Sequence, residues 1–208
     1  MTTVLVALVC LAIGWSLGRW RQGVAENRGE AAVRRALTEY FPSPAYHLLN
    51  NVTLPTEDGT TQVDHILLSR FGIFVLESKH YTGWILGNPS AAQWTQVLYK
   101  KHYKFQNPIH QNRKHIVVIA KLLDFVPVEH VRSVVVFTGD ATFKTDRLPG
   151  VMPLAELKSH VAGFAVEVMS ENRLQFCVGR LEFYRKAISK QTDVEHVEHL
   201  RRKFGDAA

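Results

Sequence analysis

The chain has 208 residues, with 46% hydrophobic and 21% charged side chains, which excludes a disordered polypeptide and allows one domain with a real core plus a small appendage. A formal charge of +6 and a pI near 9.4 suit a polyanionic partner, either nucleic acid or an anionic membrane surface, and do not choose between them. Two cysteines, Cys10 and Cys177, far apart in sequence, exclude a disulfide framework.

Residues 2–18 contain no charged side chain and are rich in Val, Leu, Ala and Ile, with Arg19, Trp20 and Arg21 directly after them. A helix crossing a bilayer needs ~17–25 apolar residues. This run suffices if Trp15 and Trp20 lie at the interfaces and Arg19 snorkels. A cleaved signal peptide is the competing reading. It is disfavoured by the uncharged start and by Arg-Trp-Arg where cleavage would fall. The expectation is a single-pass anchor at residues 2–18 in the inner or plasma membrane. Arg19, Arg21 and Arg28 follow the span and no basic side chain precedes it, which places the C-terminal bulk in the cytoplasm.

A polar linker over residues 19–28 leads to a first helix. Asn27 is its candidate cap, and Val33, Ala36, Leu37 and Tyr40 give it helical spacing. Pro42 and Pro44 end it. Residues 46–54 read as a strand, Thr56, Glu57, Asp58 and Gly59 as a turn, and residues 60–69 and 73–79 as two further strands. Arg70, Phe71 and Gly72 between these read as a tight hairpin. Residues 84–86 suggest a short fourth strand. Asn107 followed by Pro108 starts a helix running to about Asp124. Residues 131–138 read as a strand buried on both faces. Pro153 is expected to begin a helix, and residues 174–204 to form another, charged towards its end. The order of elements predicts a mixed α/β domain over residues 29–145, with helices packed on a central sheet, and a helical extension over residues 146–208 packing on it.

The hairpin strands carry the chemistry. Strand alternation puts Glu77 and Lys79 on one face, and Asp64 on a face with Gln62 and Ile66. A two-residue turn at Arg70-Phe71 places Asp64 opposite Glu77, and a turn at Phe71-Gly72 places it opposite Lys79. A three-residue turn would separate the carboxylates. Opposed Cβ atoms lie roughly 5 Å apart, a span from which two carboxylates can grip one Mg²⁺ or Mn²⁺. Such a cation would neutralise a phosphate and acidify an attacking water, while a neighbouring lysine steadies the developing charge. A cross-strand Lys79–Asp64 salt bridge on a solvated edge is the structural alternative, and spacing alone does not decide between them.

Asp64, then Glu77-x-Lys79 after a hairpin, looks like the PD-(D/E)xK pattern of restriction-endonuclease-like nucleases. The larger ordered set resembles the nuclease-related (NERD) domain family: Gly29-Glu30, Thr61-Gln-Val-Asp64-His65, Gly72-Ile-Phe-Val-Leu-Glu77-Ser-Lys79, Gly83, Gly87, Trp94 and Asn107-Pro-x-x-Gln111. The likeness spans residues 29–138. Val63 replaces the proline that often precedes the aspartate, and Ser78 is expected to face away from the site and to tolerate change. The resemblance implies the restriction-endonuclease-like fold, a mixed central sheet flanked by helices. It also implies a metal-dependent nuclease acting on DNA or, alternatively, RNA. On it, Asp64, Glu77 and Glu30 would be metal ligands, and Lys79 and Gln111 catalytic groups. Glu30 has a purely structural alternative, because Asn27-x-x-Glu30 is a capping-box pattern. Gln111 likewise is an ordinary first-turn polar residue, and the helix start at Asn107 is a further candidate phosphate contact.

Lys100, Lys101 and Lys104, interleaved with Tyr103 and Phe105, form a candidate nucleic-acid contact, with a solvated hairpin as the alternative. Trp84 and Trp94 read as core or lid residues. His65 and His80 flank the site as candidate proton-transfer groups. His196 and His199 have ligand-like spacing but no cysteine pair and are expected on a solvated helix. The same fold also admits a non-catalytic module that binds nucleic acid or protein at the membrane, or a scaffold on anionic lipid.

Overall fold

The computed structural model describes residues 28–146 and 148–187, together with residues 192, 194–198 and 202. The expected anchor at residues 2–18 and its linker up to residue 27 lie outside them. No described helix is long and apolar enough to cross a membrane.

The domain is mixed α/β. Helix α1 (Arg28–Tyr40) leads into a meander of β1 (Tyr46–Thr56), β2 (Gly59–Ser69) and β3 (Gly72–His80). Helix α2 (Pro108–Leu122) and strand β7 (Val131–Thr138) come later, after three strands of a second sheet. The central sheet is completed by β9 (Val151–Pro153) and has the order β1-β2-β3-β7-β9. Strands β1 to β3 are antiparallel, whereas β7 runs parallel to both β3 and β9. The middle strands are buried on both faces, which explains their nearly unbroken apolar sequence.

Two cores lie on opposite faces of this sheet. On one, Val33 and Leu37 of α1 meet Leu67, Phe74 and Leu76, joined by Leu157 and Val161 of α3 (Leu157–Ala162). On the other, Ile119 of α2 meets Ile66, Val75 and Leu181, the last from α4 (Glu171–Tyr184). Cys177 is buried there, and burial pushes its thiol up to about 11.

A second sheet was legible only in its first strand. It comprises β4 (Gly83–Leu86), β5 (Gln93–Leu98), β6 (Lys101–Gln106) and β8 (Ala141–Phe143), in the order β6-β5-β4-β8. Its inner side is an aromatic cluster in which Trp94 stacks on Phe137 at 6.2 Å. Three sequence expectations need correction. Pro153 closes β9 instead of opening a helix, and α3 starts only at Leu157 after a 3-10 turn. The last long helix starts earlier, at Glu171, where the Ser170 hydroxyl accepts from the Arg173 amide. It ends at Tyr184 rather than continuing, because Arg185 turns extended and the Lys186 amide donates to the Thr53 carbonyl of β1. The third concerns strand alternation at Asp64 and belongs to the site.

Candidate metal and nucleic-acid site

Hairpin geometry decides the site. Ser69 pairs with Gly72, so the loop is the two residues Arg70 and Phe71. The ladder runs down to His65 opposite Leu76, and its next step brings Asp64 level with Glu77. Of the registers left open by the sequence, this is the first. The strands part at that step, and the Asp64 carboxylate sits in the fork, where Oδ2 accepts from the Ser78 amide at 2.7 Å. Simple alternation fails here. Val63 and Ile66 point into the same core although three residues apart, and the facing Asn51 of β1 adopts a left-handed φ of 50°. Asp64 therefore does not merely share a face with Gln62 and Ile66.

Glu77 and Lys79 stand on the α2 face of β3. Glu77 is 1% exposed. Its Oε1 accepts from Lys79 Nζ at 2.6 Å, and its Oε2 lies 3.4 Å from His115 Nε2. Lys79 Nζ also donates to Gln111 Oε1 at 3.1 Å. The other nitrogen of His115, Nδ1, is 2.8 Å from Thr61 Oγ1. One continuous chain of contacts thus runs from Thr61 of β2 through His115, Glu77 and Lys79 to Gln111, held between β2, β3 and α2.

Burial alone would raise Glu77, but the contact with His115 and the charge of Lys79 outweigh it and hold the carboxyl below its usual range. Burial likewise acts to lower Lys79, yet the Glu77 carboxylate prevails and raises it, so the ammonium stays charged. Asp64 behaves oppositely. Burial pushes it well above the ordinary aspartate range, repulsion from Glu77 and then Glu30 adds to that, and the Ser78 amide and Lys79 oppose it. Glu30, half-buried in the first turn of α1, is therefore within electrostatic reach of Asp64 from the other side of the fork.

This set fits a hard divalent cation in a specific sense. Three carboxylates act on one region, one of them, Asp64, raised by burial and then by the charges of the other two, and Glu77 Oε2 is buried without a hydrogen bond. A cation relieves both conditions. Among the described residues no three His, Cys, Asp or Glu groups are close enough to enclose an ion. The carboxylates would thus supply part of a coordination sphere, the rest falling to water and phosphate, as Mg²⁺ prefers.

His115 and Asn112 were not read from the sequence. His115 lies four residues beyond Gln111 on one helix face, a spacing that would have found it. Asn112 is fully buried and donates to the Val75 carbonyl at 2.8 Å and to Ser133 Oγ at 2.9 Å, clamping α2 onto the β3–β7 pair. The other candidates fall elsewhere. Ser78 does turn from the carboxylates, but it is 6% exposed rather than free to vary. His65 is buried against Asn50 Oδ1 at 2.8 Å, and His80 contacts Thr138 Oγ1 at 3.0 Å. Asn107 is also fully buried, caps Ile109, and ties its side-chain amide to the Ala91 carbonyl at 2.7 Å, so this helix start is closed internally rather than open to phosphate. His196 is buried with Nδ1 2.8 Å from Thr60 Oγ1, not on a solvated face; His199 lies outside the described residues. Lys100, Lys101 and Lys104 are exposed on the β5–β6 turn and edge strand, separate from Glu77. A cleft of about 890 Å³ between the β1–β2 tip and α2 reaches the site, with Thr61, Gln111 and His115 in its wall and Gln106 and Lys114 among its other lining residues.

Fold and site together define a mixed-sheet α/β domain with an Asp-Glu-Lys cluster at a strand fork. The chain belongs to the nuclease-related (NERD) domain family, whose profile matches residues 25–138. It is also similar to an uncharacterized protein of Bacillus anthracis, 50% identical over 97 residues, which make up 46% of this chain and 45% of that protein. The match thus spans less than half of that relative. No solved structure matches the chain.

Proposed function

We propose that this protein is a metal-dependent nuclease of the restriction-endonuclease-like fold, hydrolysing phosphodiester bonds of DNA, with RNA as the alternative substrate. The observation that carries the reading is the Asp64 carboxylate bonded to the Ser78 amide, between Glu77 and Lys79, whose side chains are themselves paired. Asp64 and Glu77, with Glu30 from α1, would hold Mg²⁺ or Mn²⁺. When bound, such an ion neutralises phosphate charge and lowers the pKa of a water. Lys79, kept protonated by Glu77, presents an ammonium to the charge that develops on the phosphate. Gln111 fixes that ammonium from α2, and His115 fixes the far oxygen of Glu77. Lys100, Lys101 and Lys104 offer phosphate contacts outside the site. Residues 2–18 would tether the domain to the inner or plasma membrane in a single pass, with its bulk in the cytoplasm.

One observation supports a second reading. Glu77 is already paired with Lys79 and in contact with His115, an arrangement that a non-catalytic nucleic-acid- or protein-binding module would also require. Cutting separates the two. The full-length protein in detergent is incubated with supercoiled, linear and single-stranded DNA and with RNA, in Mg²⁺, Mn²⁺ or EDTA. Metal-dependent cleavage that falls by roughly 10²–10³-fold in folded Glu77→Gln and Lys79→Met proteins is expected. Binding without cleavage on every substrate would establish the module instead.

A further inference from the structure

The second sheet has an outer face that is exposed at Trp84, Leu86, His102 and Lys104, while Thr95 and Val97 at its centre are buried. Strand pairing fixes which residues share it. Trp84 lies in register with Val97 and Val97 with His102, while Leu86 pairs with Thr95 and Thr95 with Lys104. Alternation places these rows on one face and Ile85, Trp94 and Phe105 on the buried one. Trp94 is accordingly 1% exposed, whereas Trp84 is 53% exposed. Of the two roles expected for the tryptophans, core or lid, exposure removes the core role for Trp84. Its indole carries the Lys144 ammonium 4.7 Å from the ring centroid. Lys104, two strands away, is anchored by a 2.8 Å bond to Thr95 Oγ1.

The charged side chains on the strands of this sheet have one sign. Strands β4, β5, β6 and β8 contain no Asp or Glu, and residues 78–123 hold seven Lys and Arg with no acidic residue, more than the net charge of the whole chain. Asp140 and Asp146 flank β8 and Lys144 in sequence, at the edge of the sheet away from β6. An exposed indole between two lysines on an acid-free sheet matches a nucleotide unit, with a base for the ring and a phosphate for each cation. Duplex bases are already stacked on each other and present no free π-face, so the ring selects unpaired nucleotides.

The face also leads to the site. His102, Lys104 and Gln106 alternate onto it along ~13 Å of β6, and Gln106 lines the cleft that contains Gln111 and His115. We infer that the outer face of the second sheet is a single-strand nucleic-acid platform, with Trp84 stacking a base, Lys144 and Lys104 taking the flanking phosphates, and Gln106 passing the strand towards Glu77. An arriving base takes the ammonium's place over the indole, and Lys144 swings to the phosphate. This rests on the nuclease reading and specifies its substrate as single-stranded, or locally opened, nucleic acid.

The test is fluorescence anisotropy of a labelled single-stranded 20-mer and of its duplex, on full-length protein in EDTA so that nothing is cut, with heparin as a polyanion lacking bases. Trp84→Ala is expected to weaken single-strand binding by about 5- to 150-fold, with duplex and heparin nearly unchanged and Trp84→Phe largely restoring it. Lys104→Ala and Lys144→Ala each lower the slope of log affinity against log salt by ~0.7. Unchanged single-strand affinity in Trp84→Ala, or an equal loss for all three ligands, overturns the platform. A photo-crosslink from an iodouridine oligonucleotide to Trp84 of the wild-type protein supports it independently of how the variants fold, and crosslinks confined elsewhere overturn it. Wild-type protein that cuts but fails these tests loses only the platform, whereas protein that neither binds nor cuts loses the nuclease reading as well.

Discussion

Replacing Asp64 by Asn removes a charge but keeps an oxygen for the Ser78 amide, so it isolates the electrostatics of the fork. In the folded protein Asp64 is pushed well above the usual 3.8 by burial and by the charges of Glu77 and Glu30. Below pH ~3.8 the group is protonated in both states, and variant and wild type should melt alike. Above that, the unfolded chain ionises Asp64 freely while the folded carboxyl resists, so the folded state binds more protons and wild-type stability falls as pH rises through the raised value. The Asn variant escapes this loss. Relieving strain of this kind at a functional site is worth about 0.5–2 kcal/mol. At ~2–4 °C per kcal/mol for a chain of this size, the variant should melt about 1–8 °C above wild type at pH 7 in EDTA. Mg²⁺ at ten times its Kd should stabilise the wild type by about 1.4 kcal/mol, and the variant far less. Differential scanning fluorimetry from pH 3.5 to 8, with and without Mg²⁺, reads all of this. A variant that melts below wild type at pH 7 in EDTA would refute the argument that the carboxylates repel one another there.

His115 touches Glu77 but has no place among the proposed ion's ligands. His115→Ala should lower Mn²⁺ affinity by roughly 10- to 100-fold, measured by calorimetric titration, and an unchanged affinity would remove it from the site. Asn112→Ala leaves the Val75 carbonyl and Ser133 hydroxyl without their buried partner and should cost about 2–3 kcal/mol in urea unfolding. Gly72 has a φ of 141°, and a Cβ there would come 1.9 Å from Arg132 Nη1 and 3.1 Å from the His130 carbonyl. Gly72→Ala should therefore destabilise by about 1–3 kcal/mol, and a neutral result would mean that the hairpin relaxes freely.

The sequence by itself determined the α/β class, the meander before α2, the doubly buried β7 and the family of the chain. Each of these rests on local signals: apolar period, Pro and Gly punctuation, and motifs at fixed spacing. It also restricted Asp64, Glu77 and Lys79 to a few registers. Tertiary structure decided among them. The loop of Arg70 and Phe71 set the register that ends at His65 opposite Leu76, and the kink opposite Asn51 turned the Asp64 carboxylate onto the Ser78 amide, which strand alternation does not anticipate. His115 entered the site only because α2 packs across β3, a contact between segments 38 residues apart in sequence. Beyond its first strand, the second sheet is illegible in the sequence for the same reason. Its strands are short, and β8 is drawn from beyond β7, so no local pattern announces that Trp84 faces out while Trp94 faces in. Local sequence fixes which side chains each segment carries and, where its period and punctuation are strong, which element that segment forms. Which of those side chains meet depends on pairing between distant segments, and that is a property of the packed whole.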